Sequence, residues 1–332
     1  MTVLAAEVKW YKSATVSDAA GNGGRMSAVQ SVSSVAQNVF PDVPQSERTA
    51  GSTKYRKLFV KVASAANEAL QNSRLYLHRY TPGDDLIQFF LGTQTDTQGD
   101  ISGPTLYGTG KLNATVLAGV TSIDVLVENW SAGTIFRNGD TIRITDKTTP
   151  GGAGNEEIHV INGAPGVSGN IITLTLTTAL ANGYNSASTY IGSGLSLGSI
   201  VGSFDTWVET TGAGTYAEAT PGNVVVDSVG GIEQNWTITF TSATAFNVSG
   251  NTVGALASGV IGSNYAPNNP DFSEPYFTIL SAGWGGTWAT NDTITFTTHP
   301  AAKGVWFKRV VPAGAGALAS NFVDQVVIGE SV

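Results

Sequence analysis

Cysteine is absent, and histidine occurs only three times, at positions 78, 159 and 299. Without thiols the fold has neither disulfides nor thiolate metal sites, and no two histidines share a spacing that would hold zinc. Charge is also scarce, since Asp, Glu, Lys and Arg make up 13% of the chain. A surface helix needs a charged face opposite its apolar stripe, so few amphipathic helices are expected. No apolar run reaches the ~18 residues of a membrane-spanning helix. The opening residues bring Glu7, Lys9 and Lys12 at once, instead of the apolar stretch of a secretory leader.

Glycine, by contrast, occurs 40 times in 332 residues, alongside abundant Thr, Ser, Asn and Val. That balance favours short strands joined by Gly- and Asn-rich turns, and it predicts an all-β protein. Its length exceeds what one hydrophobic core of roughly 250 to 300 residues supports, so multiple antiparallel sandwich or barrel-like units are expected.

The densest strand signal lies between Thr53 and Gly92. Leu58, Val60 and Val62 alternate with Lys57, Phe59 and Lys61, as on a strand with one buried face. Arg74 to Tyr80 repeats the device, and Leu86 to Leu91 follows a Thr81-Pro82-Gly83-Asp84 turn. A small antiparallel sheet is expected, its outward face carrying Lys54, Arg56, Lys57, Lys61, Arg74 and Arg79. Ala5 to Ser13 reads as a further strand, and Ala65 to Asn72 as at most two helical turns. Met26 to Phe40 carries Val29, Val32, Val35 and Val39 at a spacing that fits neither period, so strand and irregular coil both stay open.

Charge divides the chain. Residues 1 to 95 hold 10 Lys/Arg against 7 Asp/Glu, whereas residues 96 to 332 hold 7 against 18. Between Lys147 and Lys303 there is no Lys or Arg, but Glu156, Glu157, Asp205 and seven other acids lie there. Such a surface repels phosphate backbones and anionic lipid, which argues against nucleic-acid and membrane partners.

Three units are expected: 1–107, a basic N-terminal β unit; 108–200, an inserted acidic β unit; and 201–332, a C-terminal sandwich. The second carries proposed strands at Ser122 to Val127, Thr141 to Thr145, Glu157 to Ile161 and Ile171 to Thr177. The third carries strands at Val224 to Asp227, Trp236 to Thr241, Tyr276 to Leu280, Thr293 to Thr297 and Val305 to Val311. Tyr184 to Gly202 reads as a Gly/Ser connector. Trp130 to Thr145 faintly echoes Trp284 to Thr297, each ending in Asp-Thr-Ile and a β-branched strand, which a generic hairpin explains as well as duplication does.

Candidate chemistry is thin. Gly194-Leu195-Ser196-Leu197-Gly198 matches the G-x-S-x-G nucleophile pattern, yet no strand-then-helix context surrounds Ser196. Asp140, Asp146, Asn155, Glu156 and Glu157 could offer oxygens to Ca²⁺ but lack regular ligand spacing. Gly21 to Arg25 offers backbone donors to a phosphate but opens no helix. Tyr55, Phe59, Tyr76 and Tyr80 interleave with the basic residues and read equally well as cross-strand packing. No cofactor, metal or catalytic residue is assigned.

Several segments resemble a family of tailed-bacteriophage structural proteins of the Mu-like phage and prophage type. In the N-terminal part they are Lys9 to Ser13, Asn22 to Met26, Asn38 to Val43, Glu47-Arg48 and Tyr55 to Phe59. In the C-terminal part they are Trp236 to Phe246, Pro275 to Phe277, Trp284 to Thr287, Thr297 to Ala302 and Arg309 to Pro312. The resemblance implies a non-enzymatic virion component, assembled in the bacterial host cytoplasm beside copies of itself and other virion structural proteins. A tail or neck position in a ring or stack is expected, with Lys57, Lys61, Arg74 and Arg79 at the subunit interface. The alternatives are a capsid decoration protein or a receptor- or glycan-binding module, with Trp207, Trp284, Trp288 and Trp306 as stacking platforms.

Overall fold

The computed structural model describes residues 2–127 and 134–331. Trp130, where the first half of the sequence echo begins, lies outside them. Regular structure is almost entirely antiparallel strand, as the composition requires.

A base layer is built from both ends of the chain. Its strands are β1 (Val8–Thr15), β2 (Gly23–Gln30), β3 (Ser52–Val62), β4 (Leu70–Leu77), β5 (Leu86–Leu91), β6 (Leu195–Ile200), β7 (Ala302–Val311) and β8 (Gln325–Ser331). One five-stranded sheet runs β2-β1-β3-β7-β5, and a three-stranded sheet runs β6-β4-β8. Leu58, Val60 and Val62 of β3 share one core with Leu75 and Leu77 of β4, Leu195 of β6 and Phe307 of β7.

This departs from the single local sheet expected over residues 55–91. β7, some 240 residues away, inserts between β3 and β5, pairing Ala302 with Lys61 through Val311 with Ser52. The strand at Arg74 belongs to the other sheet. Ten consecutive paired positions between apolar strands outweigh the cheaper loop closure of a local hairpin, because closure cost grows only logarithmically with loop length. Residues 302–331, expected within the C-terminal unit, therefore supply two strands to the base.

Two insertions leave this base. Residues 109–193 form a seven-stranded sheet in the spatial order 166–168, 171–175, 122–126, 109–112, 190–193, 141–145, 156–160. Its buried side includes Val125, Ile142, Ile144, Leu174 and Ile191. Residues 203–299 form a sheet with 203–210, 293–299, 234–240 and 245–250 as consecutive neighbours, covered by short pairs at 224–226 with 277–279 and 213–216 with 284–287. The core here is aromatic, with Phe240 and Trp288 stacked at 4.2 Å and 7°.

Two local expectations also change. The Tyr184 to Gly202 stretch is not a loose connector: Tyr190–Ser193 and β6 are strands. Its glycines give room for packing, since a Cβ at Gly194 would lie 2.6 Å from the Tyr76 ring and one at Gly192 2.7 Å from the Leu77 carbonyl oxygen. Residues 65–69 form no helix, whereas Gln45–Ala50 does, ended by Gly51 at φ 80°.

Candidate assembly interface

The alternation on β3 does not produce the expected outward cationic face. Lys57 is 1% exposed and Lys61 0%. The reason is that β3 is a central strand and loops from other parts of the chain cover its second face. Lys57 Nζ donates to the Gly24 carbonyl at 2.8 Å, the Asp96 carbonyl at 3.0 Å and Asp96 Oδ1 at 2.6 Å. The indole of Trp306 donates to Asp96 Oδ2 at 2.7 Å. Burial lowers the Lys57 pKa, and the Asp96 carboxylate opposes that shift.

Lys61 ties the base to the second insertion. Its ammonium lies 3.9 Å from the centroid of the Phe272 ring and donates to the Val229 carbonyl. Asn67 Oδ1 accepts the Ser228 N–H at 2.7 Å nearby. Desolvation lowers the Lys61 pKa to about 7, with Asp227 raising it and Lys9 lowering it.

Of the other two predicted cations, Arg74 sits on β4 of the three-stranded sheet and Arg79 in the bend just after it. Arg74, half-buried, is paired across β4 with Ser196 and Ile328. Arg79 lies 6.0 Å from the Tyr190 ring centroid. Lys54 and Arg56 are engaged within the chain, Lys54 with Glu47 at 2.7 Å and Arg56 with Asp18 at 2.7 Å. The four predicted interface residues therefore form no continuous strip.

The remaining candidates are dispersed in the same way. Ser196 stands exposed near the start of β6, which runs on to Ile200 with no helix after it, so the nucleophile-elbow context is missing. His78 Nδ1 faces Arg143 Nη1 at 3.0 Å, and since arginine only donates, Nε2 carries the proton given to the Lys147 carbonyl at 3.0 Å. His159 is paired with Glu157, and His299 lies between Glu233 at 2.8 Å and Asp205 at 3.2 Å.

The acidic hairpin satisfies its own carboxylates. Arg143 and Lys147 hold Glu156 at 2.8 and 3.1 Å. Glu157 accepts from the Ala181 and Asn182 backbones and from Tyr184. Burial pushes its pKa up, but hydrogen bonds from the Ala181 backbone, His159 and Asn182 outweigh that and bring it down to about 2. Trp288 and Trp306 are 2% and 0% exposed and cannot be stacking platforms. Trp207 and Trp284 are half-buried against Tyr216 at 5.3 and 4.6 Å. Of the four aromatics set among the basic residues, Phe59 and Tyr76 are buried and Tyr55 and Tyr80 half-buried.

One outward-facing segment beside the base sheet is uncharged. From Met26 to Phe40 there is no Asp, Glu, Lys or Arg, and Val29, Val32 and Val35 are 57%, 54% and 56% exposed. The segment leaves the edge strand β2, passes through left-handed Ser34 (φ 62°) and Gln37 (φ 56°), and returns to the base core at Val39 and Phe40. Asn38 Nδ2 donates to the Val32 carbonyl at 2.6 Å and holds the arm in shape. At the other edge of the same sheet, β5 borders a cleft of about 340 Å³ lined by Phe90, Leu91, Pro104, Tyr107 and Leu195. Leu91 is 51% exposed there. The valine spacing was visible in the sequence; the cleft was not, since its lining comes from three distant stretches.

The fold and these surfaces define a class: an antiparallel scaffold with two inserted β units, with an uncharged valine-bearing arm at one edge of its five-stranded sheet and a mainly apolar cleft at the other. Compared with known proteins, no family model, no curated protein and no solved structure matches the chain.

Proposed function

We propose that this chain is a non-enzymatic structural subunit of a bacteriophage virion, a tail or neck component that adheres to copies of itself in a ring or stack. The observation that carries this reading is the uncharged arm with three half-exposed valines beside the base sheet. Contiguous exposed apolar surface marks contact sites between proteins. The resemblance of the N- and C-terminal segments to phage structural proteins supports the same conclusion.

With Lys57 and Lys61 inside the protomer, adhesion rests on apolar contact at the base, not on a basic face meeting an acidic one. The acidic insertions keep like surfaces of neighbouring copies apart, which leaves the base to make the contact. Light scattering behind a sizing column, followed by negative-stain microscopy, tests the reading. A ring, stack or defined oligomer is expected; a monomer at every concentration would overturn it.

A further inference from the structure

We propose that the joint between the base and the first insertion is an acid-sensitive latch: protonation of His78 breaks its contact with Arg143 and loosens the first insertion, while the second stays clamped. The latch does not depend on self-assembly.

His78 directly follows β4 and stands where three parts of the chain meet. Its backbone N–H donates to the Asp324 carbonyl at 2.9 Å, just ahead of β8. Its ring spans the gap to the first insertion, taking a hydrogen bond from Arg143 at 3.0 Å and giving one to the Lys147 carbonyl at 3.0 Å. Beside it the Thr109 hydroxyl donates to the Leu77 carbonyl at 2.9 Å, and Tyr80 meets Tyr190 edge-on at 5.2 Å. His78 and Arg143 are each 1% exposed, so water does not share these contacts.

A second ring proton has no place in this geometry. It must sit on Nδ1, where the Arg143 N–H already points, and two donors cannot bond each other. It would also set two cations 3.0 Å apart in a dry site. The charged groups around His78 give little relief. Arg79 comes from its own segment, and Arg143 and Lys147 from the insertion. Against them stand Asp324 and, behind Arg143, Glu156, which Arg143 and Lys147 already share at 2.8 and 3.1 Å. Acid therefore favours an opened joint in which the imidazolium reaches water.

The second insertion is joined with the opposite sign. His299 ends the strand Thr293–His299, just before β7, and lies between Glu233 at 2.8 Å and Asp205 at 3.2 Å. Asp205 is on the entering strand Ser203–Thr210, so a proton on His299 adds attraction between the strands that enter and leave this insertion. Lys61 faces Asp227, Lys9 and the Tyr11 and Phe272 rings, and its ammonium keeps donating to the Val229 carbonyl in acid.

Hydrogen exchange read by mass spectrometry on the full chain tests the latch, with labelling times matched to the intrinsic pH dependence of exchange. A free histidine titrates near 6.5. With the closed joint neutral, the opened population therefore rises about thirtyfold between about pH 7.5 and about pH 5. Residues 76–80 and 141–147 are expected to exchange faster at the lower pH by up to that factor, while 122–126 in the same insertion and 293–299 in the second do not change. His78→Gln keeps an acceptor for Arg143 and a donor for Lys147 without titrating, and it should abolish the difference.

No acceleration in wild type, equal acceleration at 293–299, or acceleration that survives in His78→Gln would overturn the latch. Should that variant fail to fold, an NMR titration of ring-labelled wild type decides, its three histidines assigned with His159→Gln and His299→Gln. A His78 midpoint below about 6.5 is expected, and one at or above it would overturn the proposal as well.

Discussion

The burial of Lys61 gives the sharpest quantitative prediction. Its folded pKa falls from 10.5 to about 7, chiefly through desolvation. Between those values the unfolded chain holds a proton that the folded chain has released, so stability contributed by this site rises with pH through that window. At about 1.4 kcal/mol per unit the full shift corresponds to about 5 kcal/mol. The Phe272 ring 3.9 Å from the ammonium favours the charged form; such a contact is worth up to ~2 kcal/mol when desolvated, leaving about 3 kcal/mol. Lys61→Met keeps the volume and removes the titration, and it leaves the Val229 carbonyl without its donor at a cost of about 1–3 kcal/mol. Relative to the variant, wild type should therefore gain about 2 kcal/mol between about pH 6.5 and pH 10. Urea unfolding midpoints of both proteins across this range are the assay. A stability difference that stays flat with pH would refute the reasoning, because it would mean that Lys61 keeps its charge, and hence its water, in the folded state.

Three further outcomes follow from particular contacts. Gly194→Ala places a Cβ 2.6 Å from the buried Tyr76 ring and should cost about 1–3 kcal/mol in denaturant unfolding. Gly262→Ala has nothing within 4 Å and should fall within about 1 kcal/mol of wild type; equal losses at the two sites would contradict the packing role given to Gly194. His78 and His299 should respond oppositely to acid. Burial, then Arg143 and Arg79, lower the His78 pKa, so its contribution to stability falls as pH drops below about 6.5. For His299 burial pulls downward, but Glu233 and Asp205 outweigh it and raise the pKa. Its contribution is present below about pH 6.5 and is lost as pH rises through the higher folded value. Thermal midpoints of His78→Gln and His299→Gln against pH should diverge from wild type with opposite slopes, and parallel profiles would refute both assignments.

Local pattern carried a good deal of this structure. The strand at Thr141–Thr145 falls where its alternation places it, and those at Ile171–Thr175 and Val224–Val226 begin where expected. Period-two apolar alternation between turn residues is a property of neighbouring residues, so it can be read without the rest of the chain. The faces were harder. Lys57 and Lys61 look outward by alternation alone, yet they are internal because the Asp96 loop and the Val229 and Phe272 segments cover them. A lysine can be buried when a carboxylate, carbonyls or an aromatic ring replace its water, and those partners lie 33 to 211 positions away in sequence. The glycines at 192 and 194 misled for a related reason. A glycine that provides flexibility and one that admits a neighbouring backbone or ring look identical in the sequence.

The amino-acid sequence alone determined the all-β class, the absence of disulfides, several of the strand positions and the unbroken acidic stretch between Lys147 and Lys303, because each depends on composition or on residues close together in the chain. Only the tertiary structure decided that β7 completes the first sheet, that two cations lie inside it, and that the uncharged arm and a mainly apolar cleft occupy its two edges. Those features depend on which distant segments pair, a choice made by the summed burial of the whole fold and not by any local run of residues.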